Sequence, residues 1–94
     1  MADYKLLLAP AAVRDLKKLP PQVQKEIAMV HLQRIAEAPY RMGKPLIGTL
    51  HRERSYHFGR KPEYRIIYFI DHEEITVTLI GSREDIYKKA KQRR

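Results

Sequence analysis

The chain has 94 residues, which predicts one small domain over residues 1–94. It has no cysteine, which excludes a disulfide framework and a thiolate metal site and predicts a location in the reducing cytoplasm. No apolar stretch reaches the length of a membrane span, and the first residues lack the pattern of a signal peptide. Nineteen Lys and Arg against eleven Asp and Glu give a formal net charge of +8, which indicates a nucleic-acid-binding protein or one with an acidic partner.

The N-terminal half predicts a short strand and two helices. The strand covers Tyr4 to Leu8 and ends at Ala9-Pro10. Proline suits the first position of a helix, so we expect a helix over 10–18 with Val13 and Leu16 facing inward. After the break at Pro20 and Pro21, a second helix to Ala38 has an apolar stripe made of Val23, Ile27, Val30 and Ile35.

The C-terminal half predicts a loop, three strands and a last helix. The loop covers 40–50, and the strands cover about 52–58, 64–71 and 75–81, joined by hairpin turns. In the last strand, Ile75, Val77 and Leu79 alternate with Thr76 and Thr78, which predicts one face for the three apolar residues. Ser82 is the expected N-cap of the last helix.

The order β-α-α-β-β-β-α predicts an α+β fold. We expect a small antiparallel sheet with the N-terminal helical hairpin on one face, and a short C-terminal helix. The second face of the sheet is then at least partly open.

Two arginines and a tyrosine indicate how this open face could bind an anion. Arg65 lies in the apolar run 64–70, where burial of a guanidinium group is costly without a partner. Arg83 and Tyr87 stand four residues apart at the start of the last helix, so both should project from one side of it. Together these side chains could hold a phosphate diester.

Several segments resemble the RelE/ParE toxin superfamily, specifically its RelE branch. They are Ala11-Ala12-Val13-Arg14-Asp15-Leu16-Lys17-Lys18-Leu19-Pro20, Gly43-Lys44-Pro45-Leu46, Tyr64-Arg65-Ile66-Ile67-Tyr68 and Arg83-Glu84-Asp85-Ile86-Tyr87. Their order and spacing cover nearly the whole chain. The resemblance therefore supports the fold expected from the element order.

The resemblance implies a toxin of a type II toxin–antitoxin system that is neutralised by a cognate antitoxin protein. RelE-type toxins are ribosome-dependent endoribonucleases that cleave mRNA, so ribosomal RNA and mRNA would be partners, and operator DNA only through the antitoxin complex. ParE-type toxins share the scaffold and inhibit DNA gyrase. A catalytically inactive member that binds its antitoxin and operator DNA is a third possibility, and the fold alone does not choose among the three.

RNA cleavage at a 2′-hydroxyl needs a base, stabilisation of the phosphorane and a proton for the departing 5′-oxygen, but no metal ion or other cofactor. By resemblance, Arg65 would bind the scissile phosphate, since its planar group can hold two oxygens. Arg83 would support the leaving group, and Tyr87 would stack on a base or orient the nucleophile. Each could instead be structural: Arg65 in an ion pair, Arg83 at a helix start, Tyr87 in packing.

The strand at 52–58 departs from the family pattern, because RelE-type toxins usually carry two alternating basic residues there. If Tyr56 and Phe58 face the core, His57 points to the opposite face and is a candidate base, since an ordinary imidazole titrates near neutral pH. A bulge could present Arg54 instead, and a lone strand histidine is often structural. The candidates for RNA or ribosome binding are Lys44, Arg52, Arg54, Arg60, Lys61, Lys88 and Lys91.

Overall fold

A five-stranded mixed sheet organises the protein, whose computed structural model describes residues 4–48 and 52–92, with the side chains of 89–92 left out. The strands are β1 (Lys5–Leu8), β2 (Lys44–Pro45), β3 (Arg54–Phe58), β4 (Tyr64–Asp71) and β5 (Glu74–Ser82). Their order is β1-β5-β4-β3-β2, in which β1 runs parallel to β5 and the other neighbours are antiparallel. The α+β class is confirmed. The sheet is mixed and not antiparallel throughout, because β1 joins its edge parallel to β5.

The helices are α1 (Pro10–Lys17), α2 (Pro21–Glu26), α3 (Leu32–Glu37), α4 (Pro39–Met42) and α5 (Arg83–Gln92). Proline begins α1, α2 and α4, where its missing N–H costs nothing. The expected loop at 40–50 is wrong in its first part, since it contains most of α4 and all of β2. No helix in 4–48 or 52–92 has the length and apolar character needed to cross a membrane.

The main core lies between the helical hairpin and one face of the sheet. Its buried residues are Ala12, Ile27, Ile35, Tyr56, Ile66, Tyr68, Ile75, Val77 and Ile80. Asp15 is also buried, and its carboxylate accepts a hydrogen bond of 3.1 Å from the backbone N–H of Ile80, which fixes α1 to β5. We call this the hairpin face.

A π-helical segment, Ile27–His31, joins α2 to α3 and changes which residues are buried. The N–H of Leu32 donates to the carbonyl of Ile27, five residues back, so the turn is wider than in an α-helix. Ile27, His31 and Ile35 are buried, whereas Val30 is exposed. The predicted stripe is therefore wrong at Val30, and the buried position belongs to His31.

A bulge in β5 sends Leu79 to the second face of the sheet. Ile67 pairs with Leu79 while the next residue, Tyr68, pairs with Val77, so Thr78 is the extra residue. Leu79 then packs with Ile67 and Ile86 in a small second cluster, and not with Val77. The prediction that Leu79 shares a face with Ile75 and Val77 is wrong for this reason. We call this second side the open face.

Candidate active site

His57 and Arg65 lie side by side on the open face. The two residues are direct partners in the antiparallel register of β3 and β4, so their side chains leave the sheet on the same side. Their neighbours Tyr56 and Phe58 contact the main core, which confirms the predicted orientation of His57. His57 is exposed and makes no hydrogen bond with the described residues. Its role as a base stays a prediction.

Glu63 connects this pair to Arg83. Its carboxylate accepts a hydrogen bond of 2.9 Å from Nε of Arg65, and its backbone carbonyl accepts one of 2.9 Å from the N–H of Arg83. The hydrogen bond from Arg65 lowers the pKa of Glu63; burial acts in the opposite direction, while the charges of Arg65, His57 and Arg83 lower it further. These interactions group four ionisable side chains at one end of the open face.

Sequence reasoning missed Glu63, although one signal was available. Residues two apart on an extended chain point to the same side, so an acid two positions before a strand arginine is a natural partner for it. The structural alternative for Arg65, an ion pair with a carboxylate, is therefore present. Only Nε is engaged, and the two terminal nitrogens make no hydrogen bond with the described residues.

Helix α5 carries Arg83 at its first position and Tyr87 one turn later. Ser82 Oγ accepts a hydrogen bond of 3.3 Å from the N–H of Asp85, as expected for an N-cap. Buried Ile86 holds the helix against the second cluster. Arg83 and Tyr87 are exposed, and Tyr87 makes no hydrogen bond or ring contact with the described residues, so the structure does not join it to His57 or Arg65.

Arg54 is not on the open face, so it does not lie beside His57 as an alternative base, and its role as an RNA contact stays a prediction. It shares the other side of β3 with Tyr56 and donates to the carbonyls of Gly43 and Tyr40, at 2.8 Å and 2.6 Å. Its guanidinium also lies 5.6 Å from the centre of the Tyr40 ring. Arg54 therefore holds the α4 turn in place.

The other predicted binding residues surround the open face unevenly. Lys44 pairs with Ser55 and so lies on the same side of the sheet as His57. Arg60 and Lys61 are exposed in the β3–β4 connection, next to the His57 and Arg65 pair. Arg52 is exposed before β3 in a left-handed conformation (φ 53°), so the predicted strand begins two residues too early. Lys88 is exposed on α5, and the side chain of Lys91 lies outside the described residues.

Comparison with known proteins decides the family. The sequence model described as "ParE toxin of type II toxin-antitoxin system, parDE" matches residues 6–87. The chain belongs to this ParE toxin family. It is a toxin of a type II toxin–antitoxin system within the RelE/ParE superfamily, as the resemblance of its segments implied.

Two toxins of Mycobacterium tuberculosis are similar to this ParE-family chain over most of their length. Toxin RelG is 35% identical over 89 residues, which cover 92% of this chain and 98% of RelG. Toxin RelE is 29% identical over 87 residues, which cover 90% of this chain and 87% of RelE. The family model thus has the ParE name and the relatives have RelE and RelG names.

Solved structures of RelE toxins share the fold. The RelBE toxin–antitoxin complex of Mycobacterium tuberculosis aligns with a TM-score of 0.76 and 30% identity, over 86% of this chain and 99% of that chain. A double arginine-to-alanine mutant of E. coli RelE in the free state aligns with a TM-score of 0.74 and 26% identity, over 99% and 98%. The fold of this chain therefore matches that of toxins with RelE names.

Proposed function

We propose that this toxin is a ribosome-dependent endoribonuclease that cleaves mRNA by attack of the 2′-hydroxyl on the adjacent phosphate. The observation that carries the proposal is the grouping of His57, Arg65 and Arg83 around Glu63 on the open face. Relatives with RelE and RelG names add support, because this group lies within the part of the chain that they match.

Each side chain has a distinct role in the proposed reaction. His57 takes the proton of the 2′-hydroxyl, since its ring is exposed and makes no hydrogen bond with the described residues. Arg65 holds two phosphate oxygens through its terminal nitrogens and stabilises the phosphorane. Arg83 stabilises charge on the departing 5′-oxygen, where proximity matters because a guanidinium group is a weak acid. Tyr87, more than half exposed on α5, stacks on a base.

Binding to the ribosome depends on charge around the reaction centre. Exposed Lys44, Arg60, Lys61 and Lys88 contact backbone phosphates of mRNA or ribosomal RNA. A cognate antitoxin is the expected protein partner, since the similar RelE of Mycobacterium tuberculosis was solved as a RelBE complex. Operator DNA is bound only through that complex.

Primer extension on a translated message tests the proposal. The wild-type toxin should produce cuts at fixed positions within codons, and Arg65→Ala or Arg83→Ala should abolish them. Arg34→Ala is the matched control, because Arg34 is exposed on α3, which packs on the hairpin face, and its loss removes the same charge from outside the open face. Intact messages with the wild-type toxin would refute the endoribonuclease.

The base is tested by a second variant. His57→Ala should lower the single-turnover rate at least about tenfold, at the low end of the usual loss for a general base. An unchanged rate would remove His57 from the chemistry, and Lys44, on the same side of the sheet, would be the next residue to substitute.

Inhibition of DNA gyrase is the second candidate, and the match to a ParE family model favours it. A gyrase inhibitor would block supercoiling by purified gyrase and leave messages intact. In that case no reaction would connect Arg65 and His57, so Arg65→Ala and His57→Ala would not need to affect inhibition in the same way.

A further inference from the structure

We infer that Glu63 is a positioning residue: its carboxylate directs Arg65 towards the scissile phosphate, while its negative charge weakens the binding of RNA. The inference rests on the proposed endoribonuclease function and adds a residue that neither the family name nor the relatives' names assign. According to this inference, Glu63→Ala should bind RNA more tightly and cleave it more slowly, which loss of a merely structural residue would not do.

The first observation is the way in which Arg65 is held. The side chains of Arg65 and Glu63 are about three-quarters buried, with 23% and 28% of their surfaces exposed. The carboxylate takes the Nε hydrogen at 2.9 Å, which fixes the plane of the guanidinium group. The terminal nitrogens have no hydrogen-bond partner in the described residues, so they are available to a phosphate. Without Glu63, the guanidinium group would lose the hydrogen bond that orients it.

The second observation is that the main chain of Glu63 holds Arg83. The 2.9 Å bond from the N–H of Arg83 to the Glu63 carbonyl occupies one of the donors that a helix start leaves unpaired. Substitution of the Glu63 side chain leaves this bond in place. Variants at position 63 therefore test the orientation of Arg65 and keep the start of α5 as it is.

The third observation is the position of the negative charge. Glu63 lies in the combined field of Arg65, His57 and Arg83, beside the place that a phosphate diester would occupy in the proposed reaction. The carboxylate compensates the charge of Arg65, to which it is hydrogen-bonded, and it also repels an incoming phosphate. Removal of this charge should tighten binding at least about threefold, the size expected for one charge several ångströms away even in a largely aqueous setting.

Two variants separate the charge from the hydrogen bond. Glu63→Gln removes the charge but keeps an oxygen that can accept from Arg65 Nε, whereas Glu63→Ala removes both. Affinity is measured with ribosomes programmed with a message that carries a 2′-deoxy nucleotide at the cleavage position, and rate with a cleavable message under single-turnover, saturating conditions. Glu73→Gln is the control, since exposed Glu73 lies in the β4–β5 turn at the opposite end of the sheet.

We expect both Glu63 variants to bind at least about threefold tighter than the wild type. Glu63→Ala should cleave at least about tenfold more slowly at saturation, because a phosphate held by a misplaced group reacts poorly. Glu63→Gln should stay within about threefold of the wild-type rate, since a neutral acceptor replaces a charged one. The Glu73→Gln control should match the wild type in both measurements.

Three results would overturn the inference: weaker binding by Glu63→Ala, a saturating rate of that variant equal to the wild type, or a rate of Glu63→Gln as low as that of Glu63→Ala. Thermal unfolding of each variant checks that the fold is retained. If the alanine variant does not fold, Glu63→Gln still tests whether removal of the charge tightens binding. Absence of cleavage by the wild type would instead refute the proposed function itself. Equal cleavage by wild type and Glu63→Ala would refute only the role of Glu63.

Discussion

Substitution of Tyr56 by phenylalanine should weaken the strand that carries His57. The Tyr56 hydroxyl lies 2.6 Å from Nδ1 of His31, and Nε2 of His31 lies 2.6 Å from a carboxylate oxygen of Glu26. An ionised carboxylate only accepts hydrogen bonds, so Nε2 of His31 donates to Glu26. The Tyr56 hydroxyl is then the hydrogen-bond partner of Nδ1. The phenylalanine variant would leave this buried ring nitrogen without its partner.

The size of the effect follows from burial. His31 and Tyr56 expose 5% and 6% of their surfaces, so water cannot easily replace the lost hydroxyl. A buried polar atom left without its partner costs about 1–3 kcal/mol. Each kcal/mol lowers the melting temperature of a domain of this size by about 4–8 °C. The ring of His31 still stacks on Phe58, with centroids 3.8 Å apart, so the loss should stay within this range.

Thermal and urea unfolding of Tyr56→Phe measure the loss, with Tyr64→Phe as the matched variant. Tyr64 stacks on Phe58 with centroids 5.5 Å apart, but its hydroxyl makes no hydrogen bond with the described residues. Tyr64→Phe should change the free energy of unfolding by no more than about 0.5 kcal/mol. Equal stability of Tyr56→Phe and the wild type would refute the assigned hydrogen bond, as would equal losses in the two variants.

Three further predictions concern packing, pH and salt. In Gly43→Ala the new Cβ would lie 2.9 Å from Cζ of the buried Tyr68 ring, whose hydroxyl donates to the Pro39 carbonyl at 2.6 Å. Urea unfolding should therefore show a free energy of unfolding lower by about 1–3 kcal/mol. An unchanged midpoint would contradict this packing. Arg65 lowers the pKa of Glu63 in the folded state, so the stability of the wild type relative to Glu63→Gln should be constant above about pH 5 and should decline as the pH falls through the lowered pKa. Urea midpoints of both proteins across the acid range measure this difference. A stability advantage of the wild type that grows with acidity would contradict the lowered pKa. The affinity of the toxin for ribosomes should fall steeply with added salt in an equilibrium binding assay, and a flat profile would exclude phosphate contacts by the exposed Lys and Arg.

Local signals predicted much of the fold. The bounds of β4, 64–71, follow from a continuous apolar run between two polar turns, and the first positions of α1 and α2 follow from prolines. The start of α5 follows from Ser82, which acts on a residue three positions away. These features depend on neighbours in the sequence, so a single sequence contains the information needed to find them.

Features that depend on distant partners were missed. The parallel pairing of β1 with β5 joins Lys5 to Glu74 across most of the chain. The burial of His31 depends on the Tyr56 hydroxyl, and the position of Arg54 depends on carbonyls in the α4 turn. Glu63 lies only two residues before Arg65, but the hydrogen bond between their side chains becomes evident only in the fold.

The bulge in β5 connects the fold to the candidate site. Strict alternation would bury Leu79 under the helical hairpin with Val77, and the open face would then offer less apolar surface to α5. The extra residue, Thr78, donates a hydrogen bond of 3.0 Å to the Glu53 carboxylate and lets Leu79 join Ile67 on the open face. Ile86 packs on that pair and so fixes the helix that begins with Arg83. The position of this arginine beside Glu63 therefore depends on a one-residue irregularity that apolar periodicity cannot predict.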